Sequence, residues 1–164
     1  MAPFSAITII SVDPPTLLLI VQPSEDGTRK RTAANSIATR EFIVNVPEQT
    51  YLQQLMRSAA PEVDGSQRLT ISSMTTTPGE AVNVERLVGA SHSLECHVNR
   101  HEIVTGGVDL FFATVLCVHV ELDSGVAPPP FLGALGYEWF VSEAGLSFVP
   151  QPYLSEHEKQ SPRR

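Results

Sequence analysis

Two stretches in the second half of the chain, SLECHVNRHEIV and VDLFFATVLCVHVEL, flank a TGG, and this arrangement constrains the fold more than any other feature. Apolar and polar residues alternate through both, and a glycine pair between two such runs is a hairpin signal. They are predicted to be long paired strands. Upstream, FSAITIISV is dense in β-branched residues, and the DPP that follows forbids a helix before the continuous apolar run TLLLIV. Two further strands with a tight corner between them are expected there.

The other segments fit around these strands. TAANSIAT reads as a short helix and EFIVNV as a strand. Residues 48–58, EQTYLQQLMRS, place Tyr51, Leu52, Leu55 and Met56 at helical spacing, with one apolar face for a core. From 60 to 80 the chain turns polar and rich in Gly, Ser and Thr, which suggests an exposed connection with one short strand at RLTIS. After SGVAPPP come LGALGYEWFV and a last short strand, LSFV, while the charged tail SEHEKQSPRR is expected to be disordered. Strands separated by short helices, without regular alternation of strand and long helix, favour a mainly β fold. The expectation is an antiparallel barrel with short helical excursions, not a doubly wound sheet. With 164 residues, 42% of them hydrophobic, one domain over 1–152 followed by a tail at 153–164 accounts for the chain.

Charge narrows the function. Eighteen acidic residues against eleven Lys and Arg give a formal net charge of -7, so attraction to nucleic acid or to an anionic membrane through a long-range field is not expected. The apolar runs at 6–12 and 16–21 are split by DPP and no cation precedes Arg29, so neither a signal peptide nor a membrane span is predicted. Two cysteines, Cys96 and Cys117, fit a reducing, cytoplasmic setting better than a stapled secreted domain, and both lie in apolar strands as inert core thiols.

Against the acidic background, Arg29, Lys30 and Arg31 stand together just before the predicted helix and need a local explanation. Thr32 is placed to cap that helix, whose free amides and positive dipole end would attract an anion beside Lys30 and Arg31. This reads as a phosphate site; a solvated basic loop with an ordinary capping threonine is the competing reading. No metal site is expected. His97 and His101 are four apart, a ligand spacing on a helix, but along a strand they stand roughly 13 Å from each other. GASHS at 89–93 is no nucleophile elbow, and Rossmann and P-loop signatures are both missing.

The ordered set APFS (2–5), SVDPP (11–15), DGTRKRTAAN (26–35) and EFIVNV (41–46), continued by LEC (94–96) and LGY (135–137), resembles the flavin reductase-like family, the FMN-binding split barrels. The likeness covers roughly residues 2–152. It implies an antiparallel split barrel that forms a homodimer, with flavin near the subunit interface, and an activity that reduces flavin with NADH or NADPH. The family's G[ST]xKxTxxN pattern holds the FMN phosphate and ribityl chain, which implicates Gly27, Thr28, Lys30, Thr32 and Asn35, with Arg31 the neighbouring cation at the same anion site. The clustered cations then offset that phosphate. The APFS strand is similar to the one lying along the isoalloxazine ring, so Pro3, Phe4 and Ser5 are the implied ring contacts. Small-molecule flavin and nicotinamide are the implied partners, with a monooxygenase as a recipient of reduced flavin.

Departures from the family pattern bear on activity. Relatives carry a further strand and an Asn shortly before APFS, whereas the sequence starts with Met1 at that motif, which leaves two expectations open: a barrel short of its first strand, or an internal Met of a longer chain taken as its start. Phe112, Ala113, Thr114 and Val115 stand where relatives often read IGEV, and Ala134 replaces a frequent Arg before LGY. These changes touch the nicotinamide side more than the FMN side. They leave open a flavin-binding or electron-carrying module without nicotinamide-dependent activity, or an inactive dimerising barrel.

Overall fold

The computed structural model describes residues 6–47, 51, 53–55, 73–120, 133–135, 139–142 and 145–148. The helix predicted over 48–58 lies largely outside these residues. The strand expected at 68–72, the implied ring contacts at 3–5 and the tail at 153–164 lie wholly outside them. The elements run β1 (Ile7–Val12), β2 (Pro15–Val21), α1 (Arg31–Thr39), β3 (Glu41–Pro47), β4 (Thr76–Pro78), β5 (Glu85–Leu87), β6 (Ala90–Val104), β7 (Val108–Val120), β8 (Gly133–Leu135), β9 (Trp139–Ser142) and β10 (Gly145–Phe148). The first two strands, the helix, β3 and the long hairpin fall where the sequence predicts them. The pair β4–β5 does not: a strand begins at Thr76, inside a segment that composition alone marks as an exposed connection.

The hairpin of β6 and β7 forms the spine. Its turn carries two glycines in the left-handed region, Gly106 at φ 82° and Gly107 at φ 74°, closed by the Gly107 N–H donating to the Val104 carbonyl at 3.1 Å. Side chains with a Cβ rarely adopt that conformation, which is why the TGG punctuates the run. Around this spine the sheet is ordered β1-β2-β7-β6-β3, with every neighbouring pair antiparallel. A second sheet has the order β10-β9-β8, and β4 pairs with β5.

One face of the five-stranded sheet holds the main core. Leu17, Leu19 and Val21 of β2, Phe111 and Ala113 of β7, Cys96 and Val98 of β6 and Phe42 of β3 pack there under Ala33 of α1. The apolar run of β2 and the alternation of β7 are thus explained by the same surface. No helix among the described residues is long and apolar enough to cross a membrane.

Two bulges in the β6–β7 ladder re-phase the alternation. Val98 pairs with Ala113, but the next pair is Arg100 with Phe112, leaving Asn99 as the extra residue. His97 and His101 are therefore on opposite faces of β6, a stronger separation than their spacing along a regular strand provides. Arg40 pins this bulge, donating to the Val98 carbonyl from Nε at 3.1 Å and Nη2 at 2.7 Å and to the Asn99 carbonyl at 3.0 Å. In the second bulge Cys96 pairs with Val115 and Glu95 with Cys117, so Leu116 is extra. From that point Cys117 and His119 share the face of Glu95, opposite the core residues Phe111 and Ala113.

That opposite face is covered by the β4–β5 hairpin and its 79–84 loop. Asn45 Oδ1 accepts from the Leu87 N–H and from Ser93 Oγ, both at 2.9 Å, tying the hairpin to β3 and β6. At Gly79 an added Cβ would stand 2.7 Å from the Val84 carbonyl oxygen, 2.8 Å from that of Val82 and 3.1 Å from Glu95 Oε2. Two of these are backbone atoms that cannot swing away. Gly79→Ala is expected to lower stability by about 1–3 kcal/mol, measured by urea denaturation. An unchanged midpoint would show that the loop does not pack this tightly.

Candidate functional site

The basic turn folds on itself before it meets α1. The Ser24 N–H donates to the Thr28 carbonyl at 2.8 Å and the Gly27 N–H to the Ser24 carbonyl at 2.9 Å, with Gly27 at φ 79° and nothing within 4 Å of where a Cβ would be. Asp26 Oδ1 accepts from Thr28 Oγ1 at 2.6 Å and from the Thr28 N–H at 2.9 Å. Those two bonds hold the Asp26 carboxyl below its ordinary value. Both polar hydrogens of Thr28 are thus engaged within the turn.

The structure divides the three cations. Arg29 Nε reaches Asp109 Oδ2 at 3.1 Å, and the Asp109 carboxylate is almost wholly buried at the start of β7. His101 Nε2 lies 2.7 Å from Asp109 Oδ1, and its ring stacks on Phe111 at a centroid distance of 4.7 Å and an interplanar angle of 19°. Arg29 is therefore committed to a buried carboxylate, a correction to the expectation that the whole cluster faces an anion. The physical reason is that an isolated carboxylate on the core face must be paired. A lone Asp in the apolar alternation of VDLFFA was the available sequence signal.

Lys30 and Arg31 open the helix. Lys30 is the N-cap, with extended backbone at φ -64° and ψ 146°, and its carbonyl takes the first helical bond from the Ala34 N–H at 3.1 Å. Thr32 is consequently inside the first turn and does not cap α1, contrary to the sequence reading. The Lys30 side chain makes no capping hydrogen bond to this end. The N–H groups of the first turn have no acceptor within the helix, and Arg31 begins it with an exposed side chain. Thr32, half-buried, and Asn35, exposed, are three apart and share one side of α1, while Ala33 and Ser36 turn into the core. The sequence-predicted residues Gly27, Thr28, Lys30, Arg31, Thr32 and Asn35 are thus gathered in one turn and the first half of one helix. That donor set of a cation, an uncapped helix start and an amide suits a phosphate monoester.

A second polar cluster lies toward the other end of β7. The fully buried carboxylate of Glu95 accepts from the backbone N–H groups of Glu80 at 2.8 Å, Ala81 at 2.6 Å and Val82 at 3.0 Å, and His119 Nε2 lies 2.6 Å from Oε1. Burial acts to raise this carboxyl, but the hydrogen bonds from Glu80, His119, Ala81 and Val82 outweigh it and hold it at about 2. Cys96, beside it on the core face, is pushed up to about 12 by burial and by the Glu95 charge, so it is the inert thiol the sequence suggests. Cys117 is different. It is half-buried and has His119 Nε2 at 3.6 Å, so the expectation of an inert core thiol does not hold for it. The C-x-H spacing on a strand, which puts both side chains on one face, was the signal for this pair.

A mainly β, antiparallel architecture of this kind places the molecule in the split-barrel class. The chain belongs to the family of the flavin reductase like domain, which it matches over residues 1–137. YwrF, an uncharacterized protein of Bacillus subtilis, is 30% identical over 125 residues, covering 73% of this chain and 60% of its own length. The chain spans about 60% of the length of two of the curated relatives it matches and 46% of a third. Among solved structures, nitrilotriacetate monooxygenase component B from Bacillus cereus superposes with a TM-score of 0.70 at 23% identity, over 86% of this chain and 75% of that one. The NADH:FAD oxidoreductase SgcE6 of Streptomyces globisporus gives a TM-score of 0.62 at 20% identity, over 88% and 75%. At these identities the two superpositions speak for the fold.

Proposed function

We propose that the chain is an FMN-binding NAD(P)H:flavin oxidoreductase acting as a homodimer. The observation that carries the reading is the uncapped start of α1 behind the Gly27 turn, with Lys30 at its N-cap and Arg31, Thr32 and Asn35 in its first half. Family membership supports flavin as the ligand. In this reading Lys30, Arg31 and the first-turn amides hold the phosphate, Thr32 and Asn35 bind the ribityl chain, and Gly27 leaves the approach open because it has no side chain. Thr28 takes part by keeping the turn closed through Asp26. Pro3, Phe4 and Ser5 are proposed to lie along the ring. Bound flavin supplies the hydride-accepting chemistry, and the residues of the chain supply binding, orientation and charge.

The NADH:FAD oxidoreductase among the structural neighbours supports a nicotinamide as hydride donor, and the monooxygenase component supports a partner that consumes reduced flavin. A cytoplasmic setting is in keeping with the two free cysteines. Purified protein mixed with FMN and NADH or NADPH is expected to show flavin-dependent loss of nicotinamide absorbance. No loss with either nucleotide would overturn the activity.

One observation favours a second reading, a flavin carrier that takes no hydride from nicotinamide. In the segment that departs from the family's IGEV, the Phe112 ring is covered by Arg100, whose guanidinium carbon is 3.9 Å from the ring centroid. A carrier would be yellow and bleached by dithionite yet inert to both nucleotides. Under either reading Lys30→Glu is expected to weaken FMN binding about tenfold or more, the loss of one charge-assisted contact and the gain of a repulsive one. Fluorescence titration measures this, with circular dichroism expected to be unchanged. Equal affinity would detach the phosphate from α1.

A further inference from the structure

We propose that Glu80, Cys117 and His119 form a binding site for a divalent, thiolate-accepting metal ion, zinc being the best match, that clamps the 79–84 loop to β7. One donor atom from each of the three lies within 4.8 Å of the others. A tetrahedral zinc ion with bonds of about 2.0–2.3 Å spaces its ligand atoms by roughly 3.3–3.8 Å. His119 Nδ1 and Glu80 Oε1 are 3.9 Å apart, too far for a hydrogen bond and close to the separation an ion between them requires. The remaining adjustment falls on Glu80, whose side chain is 70% exposed and able to move.

The chemistry of His119 points the same way. Its Nε2 is 2.6 Å from Glu95 Oε1, and Glu95 is already fixed by three backbone N–H donors from the 79–84 loop. A carboxylate held so rigidly accepts the Nε2 proton, which leaves the Nδ1 lone pair directed toward Glu80. A histidine oriented by a buried carboxylate on one nitrogen and free to ligate through the other is the usual outer-shell arrangement of zinc sites. The same geometry argues against Cys117 as a nucleophile activated by His119. Nε2, which lies 3.6 Å from its sulfur, is already engaged by Glu95, so in this arrangement it has no lone pair with which to take the thiol proton. The groups facing His119 among the described residues, Glu80, Glu95 and Cys117, are anionic or become so on losing a proton, and a dication balances them. Exposed Glu80 leaves the fourth position to water.

This site is separate from the basic turn proposed to hold the phosphate. Cys117 lies eight positions along β7 from Asp109, where Arg29 anchors the basic turn, which at about 3.3 Å per residue is roughly 26 Å. The ion is therefore assigned a structural role, and its test does not depend on flavin activity. Chelator-treated protein is titrated with zinc against a chromophoric competitor and, separately, with cobalt(II), alongside Glu80→Gln and Cys117→Ser. The expected result is one equivalent bound, with a thiolate-to-cobalt charge-transfer band that disappears in Cys117→Ser. Affinity is expected to be at least about tenfold weaker in Glu80→Gln. Absence of zinc binding, a cobalt band that survives Cys117→Ser, or equal affinity in Glu80→Gln would each overturn the assignment. Glu80 is exposed, so that variant is expected to fold as the parent does, with circular dichroism as the check.

Discussion

Replacing Glu95 by alanine is expected to destabilise the metal-free protein by about 3–4 kcal/mol, read as a lower urea midpoint. The carboxylate is fully buried and accepts from three consecutive loop amides and from His119. Removing it leaves those donors without an acceptor, at roughly 1–3 kcal/mol for each that stays buried. Water can reach exposed Ala81 and Glu80, so the sum is discounted. Glu95→Gln keeps one oxygen but turns an amide N–H₂ toward donors, and is expected to cost about 1–3 kcal/mol. The folded carboxyl at about 2 is below the ordinary value of 4.5. The stabilisation it provides is therefore fully present above about 4.5 and is lost as pH falls toward 2. Wild-type stability should decline through this window more steeply than that of Glu95→Gln. Parallel pH profiles for the two would show that the loop amides do not hold the carboxylate.

Phe111→Ala is expected to be more damaging, at about 3–5 kcal/mol. Phe111 is fully buried at the middle of the core and pairs across the ladder with Leu19 on one side and His101 on the other. Deleting the ring opens a cavity that β2 and β6, held by their ladders to β7, cannot collapse to fill. It also removes the surface on which His101 stacks, and with it part of the support for Asp109 and Arg29. The loss should therefore reach the basic turn: FMN affinity is expected to fall in Phe111→Ala and to be kept in Phe111→Leu, whose stability cost should be smaller because volume is better conserved. Chemical denaturation measures the first effect and fluorescence titration the second. A stability loss with no change in FMN affinity would mean that the Asp109–Arg29 pair positions the turn without help from the core.

Alternation, β-branched content and the TGG turn determined the hairpin of β6 and β7. The DPP break determined the β1–β2 corner, because local backbone restrictions act whatever the rest of the chain does. The order of motifs likewise placed the basic turn ahead of a short helix, and the structure has that helix at Arg31–Thr39. The face each side chain takes beyond a bulge was not in the local pattern. One extra residue at Leu116 turns Cys117 and His119 away from the core face, and one at Asn99 separates His97 from His101. Nothing in the residues themselves marks where the ladder will slip; Arg40, more than fifty residues away, pins the second of these bulges. The same is true of charge. Three adjacent cations look equivalent along the chain, and only the folding of β7 beside the turn commits Arg29 to Asp109 and leaves Lys30 to begin the helix. Short-range sterics set the elements, while burial of two carboxylates far from their partners in sequence decided which polar groups meet, since a buried charge must find its counterpart wherever the chain provides one.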